Sequence, residues 1–143
     1  MSTPLNVVIL AAGKGTRMHS DRPKVLHPLA GRPLIEHVIA AADRLDPERI
    51  CIVYGHGGDA LPQAVGRDDL AWVMQEPQLG TGHAVQQALP RLNAEAVVLI
   101  LYGDVPLIRS ETLQEMVLLA RGDALALLPV SLANPSGYGR IVR

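Results

Sequence analysis

Cysteine and aromatic residues are nearly absent from this chain. Its 143 residues hold one cysteine, no phenylalanine and only 3% aromatic residues in total. A single thiol excludes an internal disulfide and any cysteine-based zinc cluster. Cys51 lies in Arg49-Ile50-Cys51-Ile52-Val53, which reads as a buried strand and fits a reducing cytoplasm. Nothing in the sequence places a base beside it, as a catalytic thiol would need. The shortage of aromatics leaves few platforms for stacking single-stranded bases. The net charge of -1 supplies no basic field, so a general nucleic-acid binder is disfavoured. No apolar run is long enough to cross a bilayer, and no positive segment precedes the first apolar run as it would in a signal peptide. Repeats, low-complexity tracts and linkers are also missing. The five histidines, His19, His27, His37, His56 and His83, lack the i, i+4 spacing of a helical zinc pair. No Ser-His-Asp or Cys-His arrangement can be argued from their positions.

What is present is the composition of one globular domain: 48% hydrophobic and 19% charged residues. Short apolar runs alternate with amphipathic segments, the pattern of a parallel sheet covered on both faces. Strands are expected at Val7–Leu10, Ile50–Tyr54, Ala71–Met74, Val97–Leu101 and Leu125–Val130. A helix is expected from Pro33, because proline suits the first helical position and Ile35, Val38, Ile39 and Ala42 form one stripe. Further helices are expected over Asp59–Val65, from Gly82 to Leu89, and after Ser110 as N-cap, where Leu113, Met116, Val117 and Ala120 share a face. The right-handed crossover rule makes a Rossmann-like layered α/β/α fold with a mostly parallel sheet the economical topology.

The most informative stretch is Leu10-Ala11-Ala12-Gly13-Lys14-Gly15-Thr16-Arg17-Met18. It runs from a β-branched strand into small residues against which a base or a sugar can lie. Gly13 and Gly15 permit unusual dihedrals and can turn N–H groups toward an anion. Lys14, Arg17 and Lys24 add positive charge suited to phosphate. Two common motifs fail on spacing: a dinucleotide fingerprint needs a third glycine where Met18 stands, and a P-loop needs Gly-Lys-Ser/Thr where the order is Lys14-Gly15-Thr16. An ordinary glycine turn between strand and helix also satisfies this stretch alone. Asp104, after the apolar run Val98-Leu99-Ile100-Leu101, can hold Mg²⁺ against a triphosphate or simply form an Asx-turn before Pro106. Gln75 can read an amide-like base edge or sit solvated in a loop. In an open α/β sheet the ends of these strands are where ligands bind.

The loop from Leu10 to Met18, with Pro23-Lys24-Val25-Leu26 and Gly31-Arg32-Pro33-Leu34, resembles the signature of the nucleotidyltransferases that make nucleoside-diphosphate sugars. Gln75 with Gly80-Thr81-Gly82-His83-Ala84, then Tyr102-Gly103-Asp104-Val105-Pro106-Leu107, then Gly137-Tyr138-Gly139-Arg140-Ile141, narrow the resemblance to the N-acetylglucosamine-1-phosphate uridylyltransferases. It runs over essentially the whole chain. It implies a nucleotide-diphospho-sugar transferase fold and a direct displacement: the phosphate of N-acetylglucosamine 1-phosphate attacks the α-phosphorus of UTP, pyrophosphate leaves and UDP-N-acetylglucosamine forms, a precursor for cell-wall synthesis. The nucleophile is already an anion, so alignment and charge stabilisation suffice. By the same resemblance Arg17, Lys24 and Asp104 are catalytic, and Asp104 holds Mg²⁺. Leu10, Ala11, Ala12, Gly13, Lys24, Gln75, Gly80, Thr81, Tyr102, Gly103, Asp104 and Gly139 contact substrate. Gly139 would offer its backbone N–H to the sugar, although a turn glycine after Asn134-Pro135-Ser136-Gly137 is an equally plain reading.

The resembled family continues past Arg143, through a second metal ligand and into a β-helical acetyltransferase domain. The chain is therefore expected to be the N-terminal part of a nucleotidyltransferase domain from a homo-oligomeric cytoplasmic protein. Gly139-Arg140-Ile141-Val142-Arg143 reads as a strand beginning, and the mean hydropathy of +0.19 suits a core lacking part of its cover. Two other functions remain: a different nucleotidyltransferase, delivering guanylate to molybdopterin or cytidylate to a polyol phosphate, and a nucleotide-binding domain without catalysis.

Overall fold

The computed structural model describes residues 3–13, 21–55 and 59–142. Four parallel strands form the central sheet: β1 (Leu5–Ala11), β4 (Arg49–Tyr54), β5 (Ala71–Met74) and β6 (Val97–Tyr102). Between β1 and β4 come a small antiparallel hairpin, β2 (Pro28–Leu29) with β3 (Arg32–Pro33), and helix α1 (Leu34–Asp43). Helices α2 (Ala60–Val65) and α3 (Thr81–Ala88) connect β4 to β5 and β5 to β6, and α4 (Ser110–Leu119) follows β6. The sheet order is β5-β4-β1-β6. The chain thus moves outward from β1 through β4 to β5, then returns to the other side of β1. The order reverses between β1 and β6, which is where a parallel α/β sheet opens a crevice for ligands.

β1 is the centre of this arrangement. Its seven residues are all buried, and it pairs with β4 on one side and β6 on the other. Alternation sends Val7, Ile9 and Ala11 toward a core shared with Ile35, Val38, Ile39 and Ala42 of α1, Leu61 of α2 and Leu113 of α4. It sends Val8 and Leu10 toward Ala84 and Ala88 of α3, with Cys51 and Val53. A strand covered on both faces must be apolar throughout rather than alternating. The apolar stripe of α1 and the packed face of α4 are those expected from periodicity.

The differences from expectation each have a local cause. Pro33 is the N-cap of α1 and not its first helical residue, because it still pairs with Pro28 as a strand (φ -52, ψ 144). The cap of α4 is Arg109, with extended backbone and no side-chain cap bond; Ser110 is already helical and buried. Leu125–Val130 forms no strand. Leu125, Leu127, Leu128 and Val130 are exposed; the segment has strand-like composition but gains no ladder hydrogen bonds. Instead Leu125 to Leu128 border an apolar groove beside β6 and α4. Residues 139–142 likewise carry no regular structure. Along β6, Leu99 and Leu101 are buried while Val98, Ile100 and Tyr102 on the opposite side are 36%, 43% and 50% exposed. Among the described residues no helix is long and apolar enough to cross a membrane.

Cys51 is fully buried in β4, as its surroundings in the sequence suggest, and burial pushes its thiol pKa up. A thiolate is therefore disfavoured and the sulfur is sheltered. We expect Cys51 to resist a chromogenic thiol reagent in the native protein at neutral pH and to react fully in denaturant. Rapid native labelling would contradict this packing.

Candidate nucleotide-binding cleft

Beyond the carboxyl ends of β1, β5 and β6 lies a cleft of about 800 Å³. Leu10, Ala11, Ala12 and Gly13 form one wall at the end of β1. Among the described residues nothing stands within 4 Å of where a Cβ on Gly13 would project, and its backbone is not left-handed. Its contribution here is open space rather than the unusual dihedral expected of it. Lys24 reaches the cleft from a 3₁₀ turn, Lys24–Leu26, anchored by buried Val25. Gln75, Gly80 and Thr81 form the opposite side, and Tyr102 with Asp104 closes the end of β6. Ten sequence-predicted residues thus come together from five separate segments.

Three predicted residues stand apart. Gly103 lies behind the wall: its N–H donates to the Leu10 carbonyl at 2.9 Å. A Cβ there would come within 3.1 Å of Val25 and 3.3 Å of that carbonyl, so glycine lets the end of β6 close against β1. Gly139 is exposed and does not line the cleft, because 139–142 forms no element that would carry it there. Arg17, with Lys14 and Gly15, lies outside the described residues.

Asp104 and Lys24, eighty residues apart in the chain, meet in an ion pair: Lys24 Nζ donates to Asp104 Oδ2 at 2.7 Å. The carboxylate thus reaches across the cleft rather than closing an Asx-turn; the local turn is made by the Val105 N–H and the Tyr102 carbonyl. With the side chains 43% and 31% exposed, such a pair is worth only about 0–1 kcal/mol. Either partner can therefore be redirected by a charged ligand at small cost.

Gln75 is not a solvated loop residue. It is 2% exposed, and its N–H donates to the Tyr54 carbonyl at 2.8 Å, extending the pairing of β5 with β4. Its side-chain Nε2 donates to the Gly80 carbonyl at 2.9 Å and stands 3.0 Å from His83 Nδ1. Gly80 precedes α3 with φ 100 and ψ 179, a conformation that side chains resist. Val25, Gln78 and Ala84 also line the cleft but were not singled out in the sequence. Val25 and Ala84 lie inside motifs that carry the family resemblance, without a contact assigned to them. Gln78 carried a signal only as a second amide in the loop after β5. It lies over Gly55, where an added Cβ would collide with Gln78 Nε2 and come within 3.0 Å of the Ala12 carbonyl.

Residues 7–136 match the family described as MobA-like NTP transferase domain. The Bifunctional protein GlmU of Herminiimonas arsenicoxydans is 58% identical over 139 residues, which cover 97% of this chain and 31% of that protein. The chain thus spans under a third of the length of this curated relative. Among solved structures, the homologue of Rv0371c from Mycobacterium sp. strain JC1 superposes with a TM-score of 0.72 at 27% identity, covering 82% of this chain and 60% of that one. Rv0371C of Mycobacterium tuberculosis H37Rv, solved as a complex with manganese, shares the fold with a TM-score of 0.67 at 23% identity, covering 80% and 58%.

The backbone at Gly80 generates a test. Gly80→Ala should destabilise the protein by about 1–3 kcal/mol, because an L side chain must hold that conformation or release it. Urea unfolding would show this; Gly13→Ala, which meets no neighbour among the described residues, should change stability far less. Equal midpoints for Gly80→Ala and wild type would show that the loop does not require the glycine conformation.

Proposed function

We propose, since this chain belongs to the family of MobA-like NTP transferase domains, that its cleft holds UTP for uridylyl transfer to N-acetylglucosamine 1-phosphate. The products would be UDP-N-acetylglucosamine and pyrophosphate. The observation that carries this reading is the convergence, beyond the carboxyl ends of β1, β5 and β6, of a small-residue wall, a buried amide and a cation–carboxylate pair. The resemblance to N-acetylglucosamine-1-phosphate uridylyltransferases supplies the choice of base and sugar. Because the chain spans 31% of the relative's length, the activity of any longer protein belongs to the same proposal. So do a homo-oligomeric state, a role in cell-wall precursor synthesis and a cytoplasmic location, which suits the single buried thiol.

In this reading the uracil ring lies against Leu10, Ala11, Ala12 and Gly13 and meets Gln75, Gly80 and Thr81. Ala11, Ala12 and Gly13 have little bulk, so a flat ring can approach the backbone. Lys24, at the cleft's far side, stabilises negative charge on the triphosphate, and the resemblance adds Arg17 to that role. The attacking phosphate needs no base; holding two anions in line is the main task. By the same resemblance Gly139, which stands outside the cleft here, would offer its backbone N–H to the sugar, and Tyr102, which lines the cleft, would contact substrate.

A divalent cation, Mg²⁺ in this proposal, fits the donors present. Asp104 has one oxygen engaged by Lys24, and Oδ1 takes no hydrogen bond among the described residues. No cluster of three or more His, Cys, Asp or Glu among those residues could hold an ion by itself. Mg²⁺ accepts such a site because it binds one or two carboxylates together with phosphate oxygens and water. When bound it neutralises phosphate charge. Asp104 would hold it, while Lys24 turns from the carboxylate to the phosphates.

Calorimetric titration in the presence of Mg²⁺ should show tighter binding of UTP than of CTP or GTP. Asp104→Asn should remove the magnesium-dependent part of UTP binding and lower pyrophosphate release by orders of magnitude while leaving the circular dichroism spectrum unchanged. Preference for GTP or CTP would redirect the assignment to another nucleotidyltransferase. Near-wild-type behaviour of Asp104→Asn would remove Asp104 from the metal role.

A further inference from the structure

We propose that His83 is a positioning residue that fixes the amide of Gln75 with its oxygen toward the cleft, and so selects an imide base edge over a cytosine-type edge. The inference rests on the reading that the cleft takes a pyrimidine nucleotide. Its starting point is a chain of four groups: the Gly80 carbonyl, the Gln75 amide, the His83 ring and the Gln87 amide.

The protons can be placed by elimination. A carbonyl oxygen only accepts and an amide nitrogen only donates. The Gly80 carbonyl therefore holds Gln75 Nε2 on its side, at 2.9 Å. The second hydrogen on Nε2 points to His83 Nδ1 at 3.0 Å, so Nδ1 must be the accepting, unprotonated nitrogen. The ring is then neutral with its proton on Nε2. That N–H stands 3.1 Å from the Gln87 side-chain amide, which satisfies it by presenting its oxygen rather than its nitrogen; the two amide orientations are isosteric. The four groups have one consistent arrangement, and both hydrogens of Gln75 are used within the protein.

What remains of Gln75 is Oε1. It takes no hydrogen bond among the described residues, it is not among their sealed, unpaired polar atoms, and Gln75 lines the cleft. The cleft is therefore offered an acceptor and no donor from this side chain. A uracil N3–H can donate to it. Cytosine presents an unprotonated N3 at that position, and two acceptors face each other. Without His83, the amide loses one of the two contacts that forbid its reversal, and a reversed amide would offer N–H groups to cytosine. Buried polar groups set this way discriminate mainly by leaving the wrong ligand unpaired.

The test has two independent readouts. Long-range ¹H–¹⁵N spectra of the free protein at neutral pH should show His83 as the neutral Nε2–H tautomer, and Gln75 side-chain amide protons should exchange more slowly than those of exposed glutamines. The Nδ1–H tautomer, an imidazolium or unprotected Gln75 amide protons would overturn the proposal whatever the nucleotide data. Calorimetry then compares UTP and CTP. His83→Leu should lower the UTP-to-CTP preference by about tenfold, the loss expected for one hydrogen bond. His83→Asn, whose side-chain oxygen can take the place of Nδ1, should retain it. An unchanged preference in His83→Leu, or equal loss in both variants, would overturn the positioning role while leaving the uridine reading intact. A wild-type protein with the expected tautomer but no UTP preference would overturn the nucleotide reading and the selectivity assigned to His83 with it.

Discussion

A strand buried on both faces can offer a ligand only its ends, and that constraint shapes this molecule. β1 has seven buried residues and hydrogen-bonded neighbours on both edges. Each of its larger side chains contributes on the order of 1.5–3 kcal/mol by leaving water. Helices must cover both faces, which places α1, α2 and α4 on one side and α3 on the other. The return of the chain from β5 to β6 then opens the crevice at the carboxyl end, between strands that run side by side up to Leu10 and Tyr102.

The polar parts of the cleft are supported by this apolar frame. Asp104 stands just past the end of β6, and the approach of that end to β1 depends on the missing side chain of Gly103. Lys24 sits on a turn held down by Val25, which belongs to the same core as α1 and β1. The weak ion pair between them therefore reports a geometry set by packing, not one that it creates. Gln75 is fixed more firmly, by its backbone through the ladder and by its side chain through Gly80 and His83. The two sides of the cleft thus differ: one carries a partly exposed ion pair, the other a buried amide held by two contacts.

Much of the fold was legible because its signals are local. Four strands of the sheet and the helix faces follow from apolar runs and 3.6-residue periodicity, with boundaries displaced by one or two residues. The errors arise where local composition met a non-local requirement. Leu125–Val130 has the residues of a strand, but a strand exists only when a neighbour supplies its ladder, and none does here. Pro33 and Ser110 have the residue types of helix starts; hairpin pairing and burial moved the actual caps by one position. Gly103 and Gly139 looked alike as motif glycines, yet one packs between strands and the other is exposed.

The sequence by itself determined a parallel α/β layer, most of its strands and the loops that could meet at one end of it. These depend on side-chain chemistry and spacing along the chain. The family resemblance singled out which of those loops are expected to carry the chemistry. Only the tertiary structure decided that Lys24 pairs with Asp104, that Gly103 lets the end of β6 close against β1, and that Gln75 is held by Gly80 and His83. Each of those facts is a distance between groups, and the chain that joins them can be folded past a given spacing in many ways until packing around β1 selects one.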